Sequence, residues 1–137
     1  MYLASSSDSG KSFGAAEKLG GGTWPLEACP MDGGGLAIDP QGRILSVWRR
    51  EGKVYLAKNL AKETPLDAGK NPAIAVNEDG VYAAWSTPLG VRVRVPGKPE
   101  AILLDADGAY PQLLALPGGG ILAAWERKGT IQFQTLR

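Results

Sequence analysis

Short apolar stretches separated by turn-forming residues recur along the chain. The clearest set runs from Leu36 to Lys58, where three apolar or alternating stretches are joined by two tight turns. Alternation of apolar and polar side chains over about four to eight residues is typical of β-strands. Glycine, proline and polar clusters between such stretches are typical of turns. The sequence therefore predicts an all-β protein without a helix of useful length.

This set of stretches occurs three times. Each copy has a glycine five or six residues before a tryptophan, and the tryptophans Trp48, Trp85 and Trp125 are 37 and 40 residues apart. A period of about 40 residues made only of short strands is typical of the four-stranded blades of β-propellers. We label the strands of a blade A to D from the propeller axis outward. A repeated tryptophan in strand B indicates packing between blades rather than three separate sugar-binding platforms.

The chain is predicted to be a single domain, residues 1–137, that begins and ends within a blade. Residues 1–20 form a partial blade, 33–68 and 71–105 form blades, and 110–137 form a further partial blade. Two of the inner A strands are expected to start at Ala73 and Gln112. Because a propeller ring needs at least about four blades, we expect a homodimer that closes a six-bladed ring. The C-terminal strand C of one copy would then lie beside Ala15 to Leu19 of the other.

Composition narrows the function classes. The 15 basic and 14 acidic residues give no electrostatic reason to expect a nucleic acid or a membrane surface as partner. The chain has no histidine, which removes the most common general base and metal ligand. The single cysteine, Cys29, cannot form an intrachain disulfide and is expected to be buried. The first residues lack the pattern of a signal peptide, and the localisation stays open.

Residues 6–13 read Ser-Ser-Asp-Ser-Gly-Lys-Ser-Phe. They resemble the Asp-box, Ser-x-Asp-x-Gly-x-Thr-Trp, which in sialidase-like (BNR-repeat) propellers caps the hairpin between strands C and D. An aspartate two residues before a glycine favours a tight turn whose amides the carboxylate can accept, and the aromatic residue is expected to tuck under the hairpin. Trp24, followed by a glycine-rich segment before a strand A, is also similar to bacterial sialidase-like propellers. The structural box residues are Ser6, Asp8, Gly10, Ser12 and Phe13.

The resemblance implies candidate residues for sialidase chemistry. Sialidases use three arginines for the substrate carboxylate, a tyrosine nucleophile with a glutamate partner, and an aspartate as acid and base. Tyr110 stands where the nucleophile would begin strand A, and Glu126 matches a glutamate that orients one of the arginines. Gly34 and Asn71 occupy inner positions where arginines would be needed. These departures favour a tyrosine that lines the propeller axis over a catalytic one.

Other candidates are assigned by residue type. Trp24 is suited to stacking on a sugar, and the predicted ligand-binding residues are Trp24, Asp32, Asn71 and Tyr110. Residues 105–108 look like the start of a calcium loop, but the later bidentate glutamate is missing, so no metal or cofactor is expected. Arg49 and Arg50 precede Glu51 in what the sequence predicts to be a solvated hairpin turn.

Three functions are compatible with these observations. The first is a non-catalytic sialidase-like module for binding or interaction, with a glycan as the expected ligand. The second is a sialidase-type glycosidase with Tyr110 in a composite site. The third is a half-propeller that assembles with itself and has no ligand of its own.

Overall fold

The computed structural model describes residues 1–25, 31, 33–59 and 62–136. Over these residues the chain forms strands and turns and contains no helix, as the sequence predicts. The strands are β1 (Tyr2–Leu3), β2 (Glu17–Lys18), β3 (Gly35–Ile38), β4 (Ile44–Arg50), β5 (Lys53–Lys58), β6 (Thr64–Ala68), β7 (Lys70–Asn77), β8 (Gly80–Thr87), β9 (Gly90–Arg94), β10 (Ile102–Asp105), β11 (Gly108–Ala115), β12 (Ile121–Arg127) and β13 (Thr130–Leu136).

The strands form four sheets in chain order. The first sheet is β1–β2, the second is β3–β4–β5–β6, the third is β7–β8–β9–β10 and the fourth is β11–β12–β13. Every pairing is antiparallel between consecutive strands. The prediction of an all-β chain with antiparallel sheets of up to four strands is confirmed, and the arrangement is compatible with consecutive propeller blades.

Several strand boundaries differ from the predicted ones. The first sheet pairs only two residues on each strand, so β2 is shorter than the predicted stretch from Ala15 to Leu19. Strands β7 and β11 begin earlier than predicted, at Lys70 and Gly108. Both continue through a proline because a β-bulge interrupts the pairing at that point. A bulge can hold a residue that donates no ladder hydrogen bond, which a reading of strand pattern alone does not anticipate.

Neighbouring sheets stack face to face, and buried apolar side chains fill each interface. The first and second sheets meet at Leu19, Trp48 and Ala57. The second and third meet around Val47, Val54, Ile74 and Trp85, and the third and fourth around Tyr82, Val93, Ile121 and Trp125. The repeated tryptophans Trp48, Trp85 and Trp125 are 3%, 1% and 7% exposed. Each belongs to the cluster shared with the preceding sheet, which is the packing role predicted for them.

The inner strands of the last three sheets lie side by side. Strand β7 contacts both β3 and β11. This stacking brings the beginnings of three successive A strands to one edge of the molecule.

Candidate functional site

A cavity of about 430 Å³ opens where the inner strands begin. We call it the inner-strand cavity. Its described lining comes from the starts of β3, β7 and β11 and the residues just before β3: Met31, Gly33, Gly34, Gly35, Leu36, Asn71, Pro72, Ala73, Ile74, Tyr110, Gln112 and Leu113. Two of the predicted ligand-binding residues, Asn71 and Tyr110, therefore line one cavity.

Asn71 and Tyr110 occupy matching bulges in neighbouring strands. Their φ angles are 51° and 53°, in the left-handed region. Each is followed by a buried proline, and each lies where the pairing of its strand shifts register. A bulky residue with positive φ is a genuine outlier, and it costs on the order of 1–3 kcal/mol unless the surrounding structure enforces it. Such outliers concentrate at binding sites and active sites.

Strand pairing identifies the third equivalent position. In each of the last three sheets, the residue before the repeated tryptophan is paired with one residue of the inner strand. Counting back two residues from that partner gives the equivalent positions Gly33, Asn71 and Tyr110. Gly34, which the sequence analysis placed here, is one residue further along. The repeat thus presents an amide, a phenol and a bare backbone at the same place in successive sheets.

The backbone of Tyr110 is held by the preceding sheet. Its N–H donates a 2.9 Å hydrogen bond to the hydroxyl of Ser86. Ser86 is 2% exposed and lies directly after Trp85 in β8. The side chain of Tyr110 is 58% exposed. A buried hydroxyl therefore fixes the main chain while the ring projects at the cavity.

The geometry around Glu126 differs from that expected of a sialidase glutamate. Its carboxylate accepts a hydrogen bond from the N–H of Gly129, across the turn between β12 and β13. Ala109, beside Tyr110, is paired with Glu126 across β11 and β12. The described residues that line the inner-strand cavity include no arginine and no carboxylate. Neither the arginine cluster nor the acid/base group of a sialidase is present among them.

Trp24 lies in a second cleft, of about 330 Å³, between the first and second sheets. The guanidinium of Arg49 lies 5.3 Å from the centroid of the Trp24 ring, within the range of a cation–π interaction. Lys18 donates a 2.8 Å hydrogen bond to Thr23 in the same cleft. Gly33 and Gly34 border both cavities, so Trp24 is near the inner-strand cavity without lining it. Asp32 and Cys29 lie outside the described residues.

The Asp-box segment forms a tight turn between β1 and β2. The carboxylate of Asp8 accepts hydrogen bonds of 2.9 Å from the N–H and 2.6 Å from the hydroxyl of Ser12, and Ser6 donates another of 2.7 Å. The bonds to Ser12 lower the pKa of Asp8 from 3.8 to about 2. Gly10, with φ at 85°, donates to Ser6. These contacts account for Asp8 as a turn residue.

Phe13 does not tuck under this hairpin as expected, since its side chain is 66% exposed. The two strands beside it pair over only two residues each, so they offer no sheet face broad enough to cover an aromatic ring. The prediction for this residue is wrong.

Two further contacts contradict or extend the sequence analysis. Arg50 does not lie on a solvated turn: its guanidinium pairs with both carboxylate oxygens of Glu63, with side chains 13% and 10% exposed. Asp105, the first residue of the apparent calcium loop, accepts a 2.7 Å hydrogen bond from the indole N–H of Trp125. This bond is the main cause that lowers the pKa of Asp105. Protein donors therefore explain Asp105 without a metal.

Glycines before the inner strands are a signal that the sequence analysis missed. A Cβ at Gly69 would lie 2.5 Å from Cδ1 of Trp85, and a Cβ at Gly108 would lie 2.8 Å from Cδ1 of Trp125. Real Cβ atoms do not approach so closely. The absence of a side chain at these two positions lets each tryptophan pack at the junction with the preceding sheet. A glycine at a fixed distance before each tryptophan was visible in the sequence.

No protein-family model matches the chain, and no curated protein matches it. Among the residues that the structure describes, no group of three or more possible metal ligands comes together. The same residues form no helix long and apolar enough to cross a membrane. The function is therefore argued from the geometry of the two cavities.

Proposed function

We propose that the chain is a non-catalytic binding module with the architecture of sialidase-like propeller blades, and that a glycan occupies the inner-strand cavity. The observation that carries this proposal is the pair of matched bulges at Asn71 and Tyr110, both with left-handed backbone, at the edge of one cavity. Strained positions that coincide with a concave site support a binding role. An exposed tyrosine ring can stack on the apolar face of a sugar.

The lining argues against hydrolysis. A sialidase needs several guanidinium groups that converge on the substrate carboxylate, and a carboxylic acid to protonate the leaving group. The described lining of the cavity supplies neither. We expect no turnover of a fluorogenic sialoside. Turnover that Tyr110→Phe abolishes would contradict the proposal and restore the glycosidase alternative.

Binding can be tested with an array of immobilised glycans. We expect the wild-type protein to bind, and Tyr110→Ala to lose the signal because the stacking ring is removed. Phe13→Ala is a matched control, since Phe13 is an exposed aromatic residue outside both cavities. Equal loss of binding in both variants would show that the signal is not specific to the inner-strand cavity.

We also propose that two copies associate through the fourth sheet and complete a six-bladed ring. The face of this sheet that points away from the third sheet exposes Leu114, Ile131 and Phe133 by 59%, 69% and 74%. The first sheet exposes apolar side chains as well, Met1 by 45% and Tyr2 by 65%. Contiguous exposed apolar groups beside an unpaired strand edge favour association. Light scattering at micromolar concentration tests this, and a stable monomer would contradict it.

A further inference from the structure

We infer that the inner-strand cavity binds an uncharged saccharide and discriminates against acidic ones. This inference rests on the proposed function and adds the class of ligand. It starts from the charge of the lining. The twelve described residues around the cavity include no lysine, arginine, aspartate or glutamate. A ligand carboxylate that left water for such a surface would lose hydration without gaining a cationic partner.

The polar groups of the lining match hydroxyl groups instead. Gln112 contributes an amide, which both donates and accepts hydrogen bonds, and Tyr110 contributes a phenol with the same double capacity. A sugar hydroxyl is likewise donor and acceptor at once, so each can be satisfied without a net charge. Asn71 adds a second amide on the neighbouring strand.

The apolar groups and the bare backbone suit the ring of a sugar. Tyr110 is 58% exposed and its main chain is fixed by Ser86, so the ring can stack with little loss of freedom on binding. Gly33, Gly34 and Gly35 form the opposite part of the lining and allow a ligand to approach the backbone closely. A cavity of about 430 Å³ is at the small end of ligand sites, which favours a mono- or disaccharide over a long chain.

The test is isothermal calorimetry with methyl glycosides of glucose, galactose and N-acetylglucosamine, compared with N-acetylneuraminic acid at matched ionic strength. We expect at least one neutral sugar to bind, and the acidic sugar to bind about tenfold more weakly or not at all. Tyr110→Ala should weaken neutral-sugar binding by about tenfold or more, as expected for a central aromatic contact. Tyr110→Phe, which retains the ring, should lose less.

The outcomes separate this inference from the proposed function. Tighter binding of N-acetylneuraminic acid would overturn the inference and leave a glycan-binding module standing. Binding of none of these sugars by the wild-type protein would overturn both. Neutral-sugar binding that Tyr110→Ala does not affect would show that the sugar occupies another site, and would overturn the inference.

A pair of glycine variants tests whether Tyr110 serves the ligand or the fold. Tyr110→Gly removes the ring and also relieves the left-handed backbone, so we expect binding to be lost while the melting temperature does not fall. Glu51→Gly is the matched control, because Glu51 has a φ of 49° on an exposed turn outside both cavities. It should leave binding unchanged. A lower melting temperature for Tyr110→Gly, with unchanged affinity, would show a purely structural role.

Discussion

The two faces of the fourth sheet have similar sequence patterns and opposite environments. One face places Ile121, Trp125 and Leu136 against the third sheet, where they are 0%, 7% and 5% exposed. The other face carries Ile131 and Phe133, which are 69% and 74% exposed. Because successive side chains of a strand point to opposite faces, strands with apolar residues at both parities are suited to burial on both sides. The pattern thus marks the open face as a surface to be covered.

The third sheet shows what such a face is like when it is covered. It lies between the second and fourth sheets and contributes to both interfaces, with Trp85 facing one neighbour and Tyr82 the other. Each of these side chains is 1% exposed. The difference between the third and fourth sheets is therefore one of position in the stack rather than of composition. Substitutions on covered and open faces should differ accordingly in their cost.

The largest effect is expected from Trp85→Ala, on a covered face. The change removes a fully buried ring from the interface of the second and third sheets, and should lower the free energy of unfolding by about 3–5 kcal/mol. Urea denaturation followed by circular dichroism measures it. Trp24→Ala is the control, since Trp24 is only half-buried and should cost less than about 1 kcal/mol. Similar costs for the two variants would contradict the stacked arrangement.

A smaller effect is expected from Glu63→Gln at the first interface. Removing one charge of a largely buried pair leaves Arg50 without its partner, which should cost about 3 kcal/mol at neutral pH. Asp107→Asn is the matched control, because its pair with Lys128 has side chains 57% and 75% exposed and should contribute little. Thermal melts of both variants compare a covered ion pair with an exposed one.

The same variant gives a pH dependence with a defined sign. Hydrogen bonds from Arg50 lower the pKa of Glu63 below its ordinary value of 4.5. The stability from this pair is complete above the unfolded pKa and is lost as the pH falls through the lowered folded pKa. The wild-type protein should therefore lose its advantage over Glu63→Gln on acidification below pH 4.5. A difference in stability that does not change with pH there would contradict the role of the Glu63 charge.

The fold was largely predictable because it depends on local alternation and on turn residues. The spacing from glycine to tryptophan located all three B strands, and the order of sheets followed. The bulges at Asn71 and Tyr110 were not predictable, since a proline normally ends a strand pattern and only pairing with the neighbouring strand shows that β7 and β11 continue. The pair of Arg50 and Glu63 joins residues 13 apart in sequence, so no local pattern indicated it.

The site was predictable only in part, for a related reason. Tyr110 and Asn71 were singled out because both precede a proline at the start of an inner strand. Gln112 and the support from Ser86 depend on how neighbouring sheets are placed, which short-range periodicity does not specify. Trp24 was expected at the ligand, yet it lies in the cleft between the first two sheets. Side chains that meet across sheets are thus the part that sequence reasoning reaches last.

The smallest effect on the isolated fold is expected from Phe133→Ser, on the open face of the fourth sheet. At a protein concentration low enough for monomers, the change should alter the free energy of unfolding by less than about 0.5 kcal/mol, as for most surface substitutions. Ile121→Ser, on the covered face of the same sheet, should be strongly destabilising because it places a hydroxyl in an apolar interface.

The same substitution tests what covers the open face. If a second copy binds there, the melting temperature of the wild-type protein should rise with protein concentration, because association stabilises the folded state by mass action. Phe133→Ser should remove that dependence while leaving sugar binding at the inner-strand cavity unchanged, since Phe133 does not line it. A melting temperature that is independent of concentration in the wild-type protein would refute the dimer. The open face would then need a cover other than a second copy of this chain.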